Sequence, residues 1–119
     1  MRHIIIALLI AVATNVMAQE KKLKVYGIGF YNLENLFDTC HDEGKNDYEY
    51  LATGSNKWNA MKYKSKLGNM SRVLAEMGTD LLKNVGCAVI GVSEVENARA
   101  LSDLCAEPAL KARNFQFCH

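Results

Sequence analysis

Two apolar stretches that each run into amide and acidic side chains frame this chain, and a helical stripe lies between them. The later stretch, Cys87 to Asn97, reads CAVIGVSEVEN. Ala88 to Val92 are small or β-branched and uncharged, the pattern of a strand buried on both faces, although periodicity alone also fits a buried helix segment. Glu94 and Glu96 stand at its carboxyl end. If strand geometry persists, alternation places both carboxylates on one face; a break at Ser93 makes them diverge. Ligands of open α/β sheets collect at such strand ends, while a solvated strand exit or helix-leading acids ahead of Ala98 explain the same pattern without chemistry.

The earlier stretch, Lys22 to Phe30 (KLKVYGIGF), reads as a strand covered on both sides beyond Lys24. Gly27 and Gly29 fall on one face, where a second backbone or an aromatic ring can come close. Tyr31, Asn32, Leu33, Glu34 and Asn35 follow at once. Should the two strands be parallel neighbours, both polar clusters lie at the same sheet edge.

Between them, Trp58 to Met77 carries the clearest helical period. Tyr63, Leu67, Met70, Leu74 and Met77 step by fours and threes, Val73 widens the stripe, Asn59 caps the start and Gly78 the end. Lys62, Lys64, Lys66 and Arg72 occupy the remaining surface, more simply a solvated face than a phosphate grip. Asp38 to Lys57 has no sustained period and reads as a long solvated loop. Its Asp42, Asn46, Asp47 and Glu49 lack the alternate-ligand order, central Gly and closing Glu of a calcium loop. Ala98 to Cys105 predicts a short helix stopped near Pro108, with Leu101 and Leu104 on one face; Asn114 to His119 alternates as a further strand, Phe115 and Phe117 together.

Composition adds an export signal. Arg2, the apolar run Ile4 to Ala13 and the small-residue end at Ala18 make residues 1–18 a signal peptide, too short against the roughly 18 to 20 apolar residues that span a bilayer. Its removal leaves a chain with no stable membrane insertion, bound for the periplasm or the exterior. Loss of Arg2 balances thirteen basic against thirteen acidic side chains, which disfavours a nonspecific grip on nucleic acid but leaves a local basic stripe open. Cys40, Cys87, Cys105 and Cys118 are sparse for a disulfide scaffold, and the Cys40-His41 and Cys118-His119 dipeptides lack zinc-type spacing. The last three read as small hydrophobes.

Three motifs in order, YNLENLFD at Tyr31 to Asp38, a helix bearing Trp58, Tyr63 and Lys66-Leu67, and IGVSEVEN at Ile90 to Asn97, resemble the endonuclease/exonuclease/phosphatase family, most closely its exported bacterial branch. The resemblance implies a mixed α/β (α+β) fold, part of a four-layer α/β sandwich with two sheets face to face and helices outside. It implies a metal-dependent phosphoesterase acting on a phosphate ester, with nucleic acid, lipid and inositol phosphates among the family's substrates. Matched by motif, Glu94 is the direct metal ligand, Asn32 orients the ligand or a metal-bound water and stands as the catalytic position, and Glu34 reaches the metal through water. The implied cation is Mg²⁺, with Mn²⁺ or Ca²⁺ as alternatives.

The family's later acidic, amide and histidine groups have no counterpart in these 119 residues. Residues 19–119 are therefore expected to be the amino-terminal part of a larger domain, inactive alone. The alternative is a noncatalytic exported protein or binding fragment. Glu96 and Asn97 carry no assigned catalytic role.

Overall fold

A computed structural model describes residues 23–119; the signal segment at 1–18 lies outside them. Strand β1 (Gly27–Leu36) is followed by a single 3-10 turn at Tyr48–Tyr50 and helix α1 (Ala60–Glu76), then β2 (Cys87–Val95), α2 (Ala98–Ala106) and α3 (Pro108–Lys111). The strands pair in parallel, in register from Ile28 opposite Val89 to Asn32 opposite Ser93. Parallel pairing demands a crossover, and α1 is that crossover. The mixed α+β content is as expected. Among the described residues the architecture is one two-stranded sheet with helices packed on it.

The first strand starts later than its apolar pattern indicates. Residues 23–26 lie outside it, whereas YNLENL, read as the polar run after the strand, is its second half. Alternation explains both faces. Tyr31 and Leu33 point to the helices, and Ile28 and Phe30, on the other face, stay 80% and 69% exposed. Val89 is exposed as well. Both strands are thus covered on one face and open on the other among the described residues, a correction to the expectation of two-sided burial.

The core unites Leu33 and Leu36 of β1 with Tyr63, Leu67 and Leu74 of α1, Ala100, Leu101 and Leu104 of α2, and Leu110 of α3. Met70 and Met77 flank it, but Val73 faces outward. Met77 occupies the groove left by Gly29, where a Cβ would collide with its thioether and crowd the Cys87 thiol; a thioether, not a ring or backbone, uses that space. Asn59 caps α1 by accepting from the Lys62 amide at 3.0 Å, and Gly78 leaves it at φ 75°.

Pro108 does not merely stop the preceding helix. It sits at the start of α3, where its missing N–H costs nothing. Residues 114–119 form no strand: Asn114 turns at φ 49°, and Arg113 fastens the segment by donating to the Ala75 and Cys87 carbonyls at 3.0 and 2.7 Å. Phe115 packs on the core and Phe117 does not. All four cysteines are free thiols, Cys87 buried and Cys118 exposed, so Cys118 is no core hydrophobe. No helix of the described residues is long and apolar enough to cross a membrane.

Leu33 is wholly buried between sheet and helices. Leu33→Ala is expected to lower unfolding free energy by about 2–5 kcal/mol, read as a shift of the urea midpoint. An unshifted midpoint would contradict this placement of the core.

Candidate functional site

Parallel pairing brings the polar ends of both strands to one sheet edge. Past the Asn32–Ser93 pair the register slips: Leu33, Glu34 and Asn35 of β1 face the single residue Glu94 before Leu36 meets Val95. Extra residues in one strand must bulge, and this bulge wraps β1 backbone around the Glu94 side chain. Glu34, Asn35 and Glu94 accordingly adopt left-handed φ of 51°, 59° and 57°. Such geometry costs about 1–3 kcal/mol per non-glycine residue and persists only when its surroundings impose it.

A closed set of hydrogen bonds imposes it here. Asn32 Nδ2 donates to Glu94 Oε1 at 2.8 Å, and the Asn35 amide donates to Glu94 Oε2 at 3.1 Å. The Glu34 amide donates to Asn32 Oδ1 at 2.7 Å, an Asx turn. Lys66 Nζ donates to the carbonyls of both Glu34 and Asn35. Burial draws the Lys66 pKa down, against the pull of the Glu34 and Glu94 charges. Asn32, Glu34 and Glu94 are solvent-exposed.

The structure therefore brings Asn32 and Glu94 into direct contact. Glu34 joins them through its backbone. Because Asn32 Oδ1 is engaged by the Glu34 amide and its Nδ2 by Glu94, Asn32 acts as an orienter of the carboxylate. Glu94 keeps unshared lone pairs on two exposed oxygens. A hard cation fits that donor chemistry, one carboxylate with room for waters. Among the described residues no three His, Cys, Asp or Glu side chains gather into a metal cluster.

Glu96 parts company with Glu94. The left-handed turn at Glu94 breaks the alternation one residue beyond Ser93, and Glu96 Oε2 accepts from the Asp38 amide at 2.9 Å, in the loop after β1. That loop is less solvated than its composition indicates: Asp38 and Asp47 are 3% and 2% exposed. Asp38 accepts from Asn97 at 2.9 Å and from Arg99 at 2.6 Å, and Asn97 also donates to Asp42 at 2.9 Å while capping α2 through the Ala100 amide. Asp47 accepts from the Asp42 amide at 2.8 Å and pairs with His41. Trp58 Nε1 donates to the Phe37 carbonyl at 2.9 Å, closing the loop onto α1. These contacts give Glu96 and Asn97 a structural role: they lock the two strand exits together.

Burial opposes ionisation of Asp38, but hydrogen bonds from Asn97, the Cys40 amide and Arg99, with the Arg99 charge, hold its carboxyl below the ordinary range. Glu96 goes the other way. Burial, reinforced by the charges of Asp38, Asp42 and Asp47, pushes it from 4.5 up to about 7 despite the Asp38 amide. Among the described residues its Oε1 is buried without a hydrogen-bond partner. Sequence reasoning named Lys66 in the helix motif but missed the bulge, the Lys66 contact with it and this clamp; only the Asx-turn spacing of Asn32 and Glu34 was there to be read.

The folded chain thus holds a Glu96 proton that the unfolded chain releases, and stability falls as pH rises from 4.5 through about 7. Glu96→Gln is expected to be more stable than the parent by roughly 1–3 kcal/mol near pH 8, the gap closing near pH 4. Thermal melts at both pH values check this, and an equal gap at both would contradict it.

A profile described as the endonuclease/exonuclease/phosphatase family matches residues 27–119, from the first residue of β1 onward. No curated protein and no solved structure matches the chain. With the match spanning both strands, the crossover helix and the Asn32–Glu94 contact, the chain belongs to the endonuclease/exonuclease/phosphatase family.

Proposed function

We propose that this chain serves an exported, divalent-metal-dependent phosphoesterase and contributes the carboxylate and amide that hold its cation. The observation that carries the reading is the 2.8 Å bond from Asn32 Nδ2 to Glu94 Oε1 at the carboxyl ends of two parallel strands. Glu94 is the direct ligand, Asn32 fixes its rotamer, and Glu34 engages the ion through water. Magnesium suits such a site because it takes one or two carboxylates and keeps several waters, with Mn²⁺ and Ca²⁺ as alternatives.

When bound, the cation would supply positive charge to polarise a phosphoryl oxygen and stabilise a leaving oxygen. The chain's own residues orient: Asn32 and the Asn35 amide hold both carboxylate oxygens, and the exposed edge leaves a substrate phosphate room to approach. Phosphate esters are the substrate class, with nucleic acid among them. Export to the periplasm or exterior follows from reading residues 1–18 as a signal peptide. None of the groups named here activates water, so the chain by itself is expected to bind the cation without hydrolysing a phosphodiester.

The open apolar face formed by Ile28, Phe30 and Val89 favours a second reading, a noncatalytic exported protein or fragment whose sheet needs covering. Cation affinity separates the two. Titration calorimetry with Mn²⁺ is expected to show binding by the parent, a loss of about 10–100-fold for Asn32→Ala, and a greater loss for Glu94→Gln. Equal affinity in all three would contradict the assignment. No affinity in the parent would leave the noncatalytic reading.

A further inference from the structure

We propose that Lys66 is a positioning residue for the Glu94 carboxylate, acting through the peptide group that joins Glu34 to Asn35. The inference rests on reading Glu94 as the cation ligand and adds a residue that lies on the helix, outside the ligand pair.

The peptide unit between Glu34 and Asn35 is held at both ends. Its carbonyl oxygen, that of Glu34, accepts from Lys66 Nζ, and its N–H, that of Asn35, donates to Glu94 Oε2 at 3.1 Å. A trans peptide is planar, with oxygen and hydrogen on opposite sides, so fixing one end aims the other. No cis peptide occurs among the described residues. Lys66 also donates to the next carbonyl, that of Asn35, at 3.3 Å. One ammonium thus gathers the carbonyls of two successive left-handed residues, Glu34 and Asn35.

Lys66 is well suited to this. It lies on α1 one residue before the buried Leu67, which seats that turn of the helix in the core; the residue is half-buried, and its ammonium stands 5.7 Å from the Trp58 ring centre. A cation donating to a carbonyl also polarises the peptide and strengthens the bond given by its N–H. The remaining Glu94 oxygen is fixed independently by Asn32. Lys66 and Asn32 together define the carboxylate plane, and Lys66 does so without touching the ligand.

The test uses the full chain with Lys66→Met, which keeps the length and removes the donor, and Lys66→Arg, which restores donors. Two readouts run in parallel: amide hydrogen exchange at Asn35 by NMR, with the Leu67 amide as internal control, and Mn²⁺ affinity by calorimetry. Lys66→Met is expected to speed Asn35 exchange at least about tenfold with Leu67 unchanged, and to weaken Mn²⁺ binding by about 10–100-fold. Lys66→Arg is expected to recover most of both. Unchanged Asn35 exchange would overturn the proposal, as would faster exchange with unchanged Mn²⁺ affinity. If the parent itself binds no Mn²⁺, the ligand reading of Glu94 fails, and Asn35 exchange still decides whether Lys66 sets this peptide. Where Lys66→Met fails to melt cooperatively, Lys66→Gln carries the same two readouts.

Discussion

Parallel pairing of two strands across a helical crossover is the constraint on which the rest of this structure depends. Asn32 and Glu94 are 62 residues apart in the chain, yet the register that sets Asn32 opposite Ser93 leaves the next side chain, Glu94, within one hydrogen bond of the Asn32 amide. An antiparallel pair would send the same two polar clusters to opposite ends of the sheet. The crossover helix earns its place by burying Tyr63, Leu67 and Leu74 against the strand residues Leu33 and Leu36, so the packing that stabilises the fold also fixes the alignment of the site.

Precision at the site comes from strain held in place. Three non-glycine residues in left-handed conformation, Glu34, Asn35 and Glu94, are not what isolated chains adopt. They persist because their groups are committed: the Glu34 and Asn35 amides to Asn32 and Glu94, the Glu34 and Asn35 carbonyls to Lys66, and the Glu94 carboxylate to Asn32 and the Asn35 amide. Behind them, Glu96, Asn97 and Arg99 grip Asp38 and stop the two strand exits from separating. The partly buried Glu96 is the weak member of that clamp, since its ionised form faces Asp38, Asp42 and Asp47 with one oxygen unpartnered.

Much of this was legible in the residues. The helical stripe from Tyr63 to Leu74 and the Asn59 cap carry a local signal of one helix, which formed, and the uncharged run before Glu94, which by periodicity fits strand or buried helix, formed the strand. The convergence of Asn32 with Glu94 was readable only conditionally, because the direction of pairing depends on contacts distant in sequence. Where local signals misled, tertiary packing decided. KLKVYGIGF has strand propensity, but residues 23–26 lie outside β1, and YNLENL is held in the strand by Leu33 and Leu36 in the core. The alternation of NFQFC was overridden by the Asn114 turn and the Arg113 anchors. Asp38 and Asp47 look solvated because carboxylates usually are; their partners, Arg99, Asn97 and His41, cannot be matched to them by spacing alone. Lys66 belongs to the helix motif, but its contact with the β1 backbone is hidden for the same reason until the bulge meets it.

In the function proposed above, a hard cation sits at the Asn32–Glu94 contact. Paramagnetic broadening by sub-stoichiometric Mn²⁺ in an NMR spectrum of the chain locates a bound ion directly. The signals lost first are expected to be the Asn32 side-chain amide and the backbone amides of Asn35 and Glu94. Broadening that begins instead at Asp42 and Asp47, with the Asn32 amide untouched, would contradict it.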